Sequence, residues 1–214
     1  MAAGCCSNQP VFDGASTAYR RALWIVIGLN ASMFVVEAVA GITAGSMALQ
    51  ADALDFLGDT ATYALSLYVI GQAAHWRARA ALLKGLSLAV FGLWVLGATL
   101  YQVFADGMPE AVTMSVVGVL ALAANIASAL ILFRFRNGDA NVRSVWLCSR
   151  NDAIGNVAVI GAAGGVLLTG SQWPDLAVAG IMASLFFWSA AQIVRQALDE
   201  LRLADGVPAQ SSAS

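Results

Sequence analysis

The sequence predicts an all-α, polytopic membrane protein of six transmembrane helices, and three observations carry that reading. Of its 214 residues, 59% are hydrophobic and only 11% charged, where a soluble domain carries about 25% charge. The apolar residues gather into six runs, each of the ~20 residues that cross a hydrocarbon core about 30 Å thick. Every Lys and Arg falls on one side of the resulting zigzag.

The first run, residues 22–40, follows Arg20 and Arg21 and closes at GITAG (41–45), whose glycines mark a tight turn. The second, 46–74, ends at HWRARA (75–80), read as a loop. The third, 82–104, is stopped by ADGMPE (105–110), with Gly107 and Pro109 as breakers. The fourth, 111–133, meets RFRNGDANVR (134–143), which holds the turn signal Asn137-Gly138. The fifth, 144–169, ends at TGSQWPD (169–175), and the sixth covers 175–197. Trp76, Tyr101 and Trp173 fall near run ends, where aromatic rings anchor at the membrane interface. Gly85, Gly92, Gly161, Gly164 and Gly165 read as surfaces for close helix packing.

Arg20 and Arg21 precede the first helix. Arg77, Arg79 and Lys84 lie between the second and third, and Arg134, Arg136, Arg143 and Arg150 flank the fourth and fifth. Arg195 and Arg202 close the sixth. The opposite joints carry only acids, Asp106, Glu110 and Asp175. By the positive-inside rule both termini face the cytoplasm. Residues 1–19 and 204–214 read as disordered tails around a six-helix unit at 20–203. No basic n-region opens the chain, so no signal peptide is expected. Three cysteines make no disulfide framework. A net charge of −2 without basic, aromatic clustering offers nucleic acid no surface. The expected setting is a multi-pass membrane protein of the cell inner membrane.

Against this background ADALDFLGD (51–59) stands out: Asp52, Asp55 and Asp59 lie inside the second apolar run. At 100° per residue Asp52 and Asp59 fall within roughly 20° of each other, with Asp55 about 60° away, so a helix carries all three on one stripe. Each charged group in a membrane core costs about 2.5–3.5 kcal/mol on insertion scales. Three like charges on one face imply a bound cation, bound protons, or the two in turn.

The fifth run supplies a second half. In VWLCSRNDAIGN (145–156), Cys148, Asp152 and Asn156 recur every four residues and share a face. A rise of about 1.5 Å per residue puts Asp55 roughly 14 Å and Asp59 roughly 20 Å below the outer surface. Counted from the inner surface, Cys148 lies about 8 Å and Asp152 about 14 Å up. Asp152 thus levels with Asp55, and Cys148 with Asp59. Three carboxylates and one sulfur suit a four-coordinate, borderline-soft divalent ion such as Zn²⁺.

The segment VVEAVAGITAGSMALQADALDFLGD, with the D-A-I-G-N of the fifth helix, resembles the cation diffusion facilitator family. The resemblance covers the whole six-helix unit. It implies a transport site made of two [HD]-x-x-x-D motifs, one on helix two and one on helix five. The matching positions are Asp55 with Asp59, and Cys148 with Asp152. Cys148 departs from the usual His or Asp, and the cytoplasmic metal-binding domain that most members carry after helix six is not expected here.

Other polar residues receive plainer readings. Asp52, one turn outward of Asp55, supports the site or gates it. Glu37 is expected to make a structural hydrogen bond to the adjoining helix, and Asn156 to be a packing amide or a weak ligand. His75 reads as a solvated loop side chain. Cys5 and Cys6 could capture a soft metal from the cytosol, but a two-cysteine tail is ordinarily no site.

The expected function is export of a divalent metal, Zn²⁺ first and Cd²⁺ or Co²⁺ after it, from the cytoplasm in exchange for protons. Low dielectric and like-charged neighbours favour protons in an empty site, and a metal ion expels them. The metal is cargo, and no resident cofactor is expected. The expected partners are divalent cations, protons and membrane lipid, with a homodimer left open. Two alternatives remain at this level: an intramembrane enzyme using paired aspartates, and a membrane metal-binding protein without transport.

Overall fold

The computed structural model describes residues 16–69, 74–105, 107–136 and 140–204. Its described secondary structure is helical throughout: α1 (Thr17–Thr43), α2 (Met47–Val69), α3 (Ala74–Val103), α4 (Ala111–Leu132), a 3₁₀ turn (Phe133–Phe135), α5 (Ala140–Thr169) and α6 (Trp173–Ala204).

The helix ends follow from local chemistry. Ser16 caps α1 by accepting the Tyr19 N–H at 3.1 Å, so the boundary expected at residue 19 falls inside a helix. Gly45 (φ 65°) and Gly170 (φ 58°) take the left-handed conformation that ends α1 and α5 and turns the chain within three residues. Pro174 lies in the first turn of α6, where its missing N–H is no loss.

The stretch HWRARA corrects the loop expected there, because α3 already begins at Ala74 and His75 is helical in its backbone. Alanine, arginine and leucine are strong helix formers, and no Gly or Pro interrupts them before Gly85. Arg79 stacks on the Trp76 ring at 5.5 Å, an i, i+3 pairing that only a helix provides here. The helices α5 and α6 also outrun their apolar segments, α5 beginning at Ala140 and α6 running to Ala204.

Three joints meet at one end of the bundle. The Glu110 N–H before α4 donates to the Ala44 carbonyl between α1 and α2 at 2.9 Å. Asp175 on α6 binds the backbone that starts α2. At the opposite end Tyr19 meets Phe135 edge-on, with centroids 5.1 Å apart.

The helix α2 touches α1, α3, α5 and α6, while α3 pairs with α6, α1 with α2 and α4, and α4 with α5. The outward surface is hydrocarbon, with Val39, Trp94, Leu120, Leu130, Leu168 and Trp188 exposed. The helix that carries Asp52, Asp55 and Asp59 is thus the one that touches the most other helices, as intramembrane charge requires. Gly85 and Gly92 admit α6 closely: a Cβ on Gly85 would lie 2.7 Å from Val194, and one on Gly92 3.3 Å from Phe187. Gly165 approaches Pro174 in the same way, but Gly161 and Gly164 have no neighbour within 4 Å, correcting their reading as packing surfaces.

Among the described residues, five helices are long and apolar enough to cross a membrane: Thr17–Thr43, Ala81–Val103, Ala111–Phe135, Asp152–Thr169 and Trp173–Arg202. The chain is a polytopic helical membrane protein. Helix α2 stays outside that set because three aspartates interrupt its 23 residues.

Candidate functional site

The stripe on α2 is held in register from its first residue. Asp175 accepts the Ser46 hydroxyl at 2.6 Å, the Met47 N–H at 2.7 Å and the Ala48 N–H at 3.1 Å. Ser46 in turn accepts the Leu49 N–H at 3.1 Å. Orphan N–H groups at a helix start favour an anion, and here a carboxylate from another helix satisfies two of them. Asp175 is buried, which corrects its reading as a loop acid. A cap lent from 127 residues further along the chain leaves no trace in local periodicity.

Further down α2, Asp52 (2% exposed) and Asp59 (7%) are buried, and Asp55 is half-buried. Asp152, half-buried on α5, brings its carboxyl beside those of both Asp55 and Asp59. Carboxylates alone have no proton to donate, so this contact needs a shared proton or a cation between them. Asp55, Asp59 and Asp152 are thus neighbours across two helices. Lys84 of α3, read from the sequence as a joint residue, stands within Coulombic reach of Asp55 and Asp59.

Asp59 has a partner that the sequence reading did not single out. Tyr63, one turn on and fully buried, donates its hydroxyl to Asp59 Oδ2. The same hydroxyl lies 3.2 Å from Ser149 Oγ on α5. The i, i+4 spacing of Asp59 and Tyr63 was legible as a signal, but Ser149 was not.

The remaining candidates resolve differently. Glu37 is fully buried on α1 with its carboxyl against that of Asp52, and no N–H or O–H of the described residues donates to either Glu37 oxygen. Its partner on the adjoining helix is a second acid, Asp52. Asn156 accepts from Asn125 Nδ2 of α4 at 3.3 Å, the packing role expected of it. Among the described residues, no group of three or more His, Cys, Asp or Glu side chains is already arranged to hold a metal ion. The side chains of Cys148 and His75 lie outside the described residues, as do Cys5 and Cys6.

Fold and site together define a helical membrane protein with a cluster of buried acids between its helices. The chain belongs to the cation efflux family, whose transmembrane domain model matches residues 23–202. It is similar to the metal cation efflux system protein CzcD of Cupriavidus metallidurans, with 29% identity over 171 residues, 74% of this chain and 54% of the relative. It is also similar to the zinc transporter ZitB of Escherichia coli, with 27% identity over 194 residues, 85% of this chain and 62% of the relative. A cadmium, cobalt and zinc/H(+)-K(+) antiporter of Bacillus velezensis shares 25% identity over 207 residues, 88% of this chain and 64% of the relative. The chain spans 54–64% of the length of these curated relatives. Their names are those of efflux and transport proteins.

Proposed function

We propose that the protein exports divalent metal cations from the cytoplasm by secondary transport, Zn²⁺ foremost and Cd²⁺ or Co²⁺ alongside it, in exchange for protons. The observation that carries this reading is the contact of the Asp152 carboxyl with those of both Asp55 and Asp59. Carboxyls from two helices alternate between sharing protons and sharing a cation, because one charge state excludes the other. Cys148, one turn before Asp152 on α5, adds a soft donor. Six spans with cytoplasmic termini follow from the one-sided basic residues. In that topology α2 is a span whose charges face protein. A bacterial inner membrane is the natural setting, and a homodimer is compatible with the reading without being required by any step.

The relatives' names support the cargo class: zinc for one, cadmium, cobalt and zinc with H(+) and K(+) for another. The test is purified protein in liposomes with a pH-sensitive dye and an imposed pH gradient. Zn²⁺ uptake accompanied by counterflow of protons is the expected result. Uptake without any pH change, at any gradient, would remove proton exchange, and absence of uptake for Zn²⁺, Cd²⁺ and Co²⁺ would remove the transport reading.

A further inference from the structure

We propose that Tyr63 is a specificity-determining positioning residue, one that occupies Asp59 Oδ2 and restricts this carboxylate to single-oxygen binding of a small, four-coordinate cation. The inference rests on the reading of Asp59 as a metal ligand and deepens it.

The geometry is specific. The Tyr63 hydroxyl donates to Asp59 Oδ2 and lies 3.2 Å from Ser149 Oγ. A phenol has one proton, and when that proton is given to an ionised Asp59, Ser149 is the donor to the tyrosine oxygen. The result is a directed chain from α5 to α2: Ser149 to Tyr63 to Asp59. Both Tyr63 and Ser149 are fully buried. The Tyr63 ring packs in an apolar cluster with Tyr19, Leu23, Val26 and Leu132, so the hydroxyl has little freedom to leave. Ser149 also sits between Cys148 and Asp152 on α5. The chain therefore joins the two motifs of the proposed site at the residue level.

The consequence concerns coordination number. A carboxylate with both oxygens available can chelate, as it often does around large cations that take six or more oxygen ligands. With one oxygen held by a phenol, Asp59 offers a single donor atom. A site limited in this way suits tetrahedral Zn²⁺ and disfavours Mn²⁺, which prefers six oxygens in an octahedron. Removing the hydroxyl while keeping the ring frees Oδ2 and adds a donor that Mn²⁺ can use.

The test is competition of Mn²⁺ against Zn²⁺ for the purified full chain, with liposome uptake of each ion, in wild type, Tyr63→Phe, Ser149→Ala and Asp59→Asn. Tyr63→Phe should raise the Mn²⁺:Zn²⁺ ratio by about tenfold, on the coordination preferences of the two ions. Ser149→Ala should raise it by a smaller factor, since the phenol keeps its bond to Asp59 but loses its own donor. Asp59→Asn should lose both ions. A purely structural Tyr63 would lower both ions together and leave the ratio alone. An unchanged ratio in Tyr63→Phe, with Asp59→Asn inactive, overturns the inference and leaves the transport site standing. Wild-type Zn²⁺ binding in Asp59→Asn overturns the site and the inference with it. If Tyr63→Phe fails to insert, Ser149→Ala decides: a raised ratio supports the chain of bonds, and an unchanged one overturns it.

Discussion

Asp175, at the start of α6, and Ser46, immediately before α2, share a 2.6 Å hydrogen bond inside the protein. The same carboxylate takes the first two N–H groups of α2. Position along α2 sets the depth of Asp55 and Asp59, so this remote cap fixes where the acids lie relative to α5.

Asp175→Ala should therefore destabilise the protein by about 2–3 kcal/mol, because a hydroxyl and two N–H groups lose a charged acceptor in a buried place. Thermal unfolding in detergent measures it. Asp175→Asn keeps one acceptor oxygen and should cost less. Equal stability of wild type and Asp175→Ala would mean that water replaces the carboxylate at this helix start.

Asp55→Asn, Asp59→Asn and Asp152→Asn should each lower metal flux by more than about 100-fold, beyond the 10–100-fold typical of groups that only support a ligand. Each protein should still insert and elute as wild type does. Protons and metal compete for the same oxygens, so the apparent metal affinity of the wild type should weaken as pH falls. Flux titrations against Zn²⁺ at several pH values check both statements, and full flux in any one of the three variants would remove that residue from the site.

Lys84 places a positive charge within Coulombic reach of Asp55 and Asp59. A cation entering the site meets repulsion from it, since unit charges in a protein interact by several tenths of a kcal/mol or more at distances of ~10–20 Å. Lys84→Met should tighten Zn²⁺ binding severalfold, with a larger gain at low ionic strength. Weaker binding would show instead that Lys84 holds the acids in place.

Cys148 carries the departure from the usual motif of this family. If it binds as a thiolate, Cys148→Ser should depress Cd²⁺ transport more than Zn²⁺ transport, because the softer ion loses the softer ligand. Cys148→His should return preference to Zn²⁺. Equal Cd²⁺:Zn²⁺ ratios in wild type, Cys148→Ser and Cys148→Ala would leave a three-carboxylate site.

Chain composition alone determined that this protein lives in a membrane, and periodicity alone put Asp52, Asp55 and Asp59 on one stripe, because both are properties of a single helix. The pairing of that stripe with Asp152 is what equal depths on antiparallel spans predict. Helix ends were less legible. The polar HWRARA stretch reads as a loop, yet a helix continues through it, since hydropathy reports lipid contact and says nothing of backbone hydrogen bonding. Tertiary structure alone decided which further residues stand beside each acid. Glu37 faces Asp52, Tyr63 and Ser149 secure Asp59, and Asp175 seats α2 from the far side of the chain. A helix repeats its faces every 3.6 residues but does not name its neighbour. That choice belongs to packing, which here surrounds α2 with α1, α3, α5 and α6.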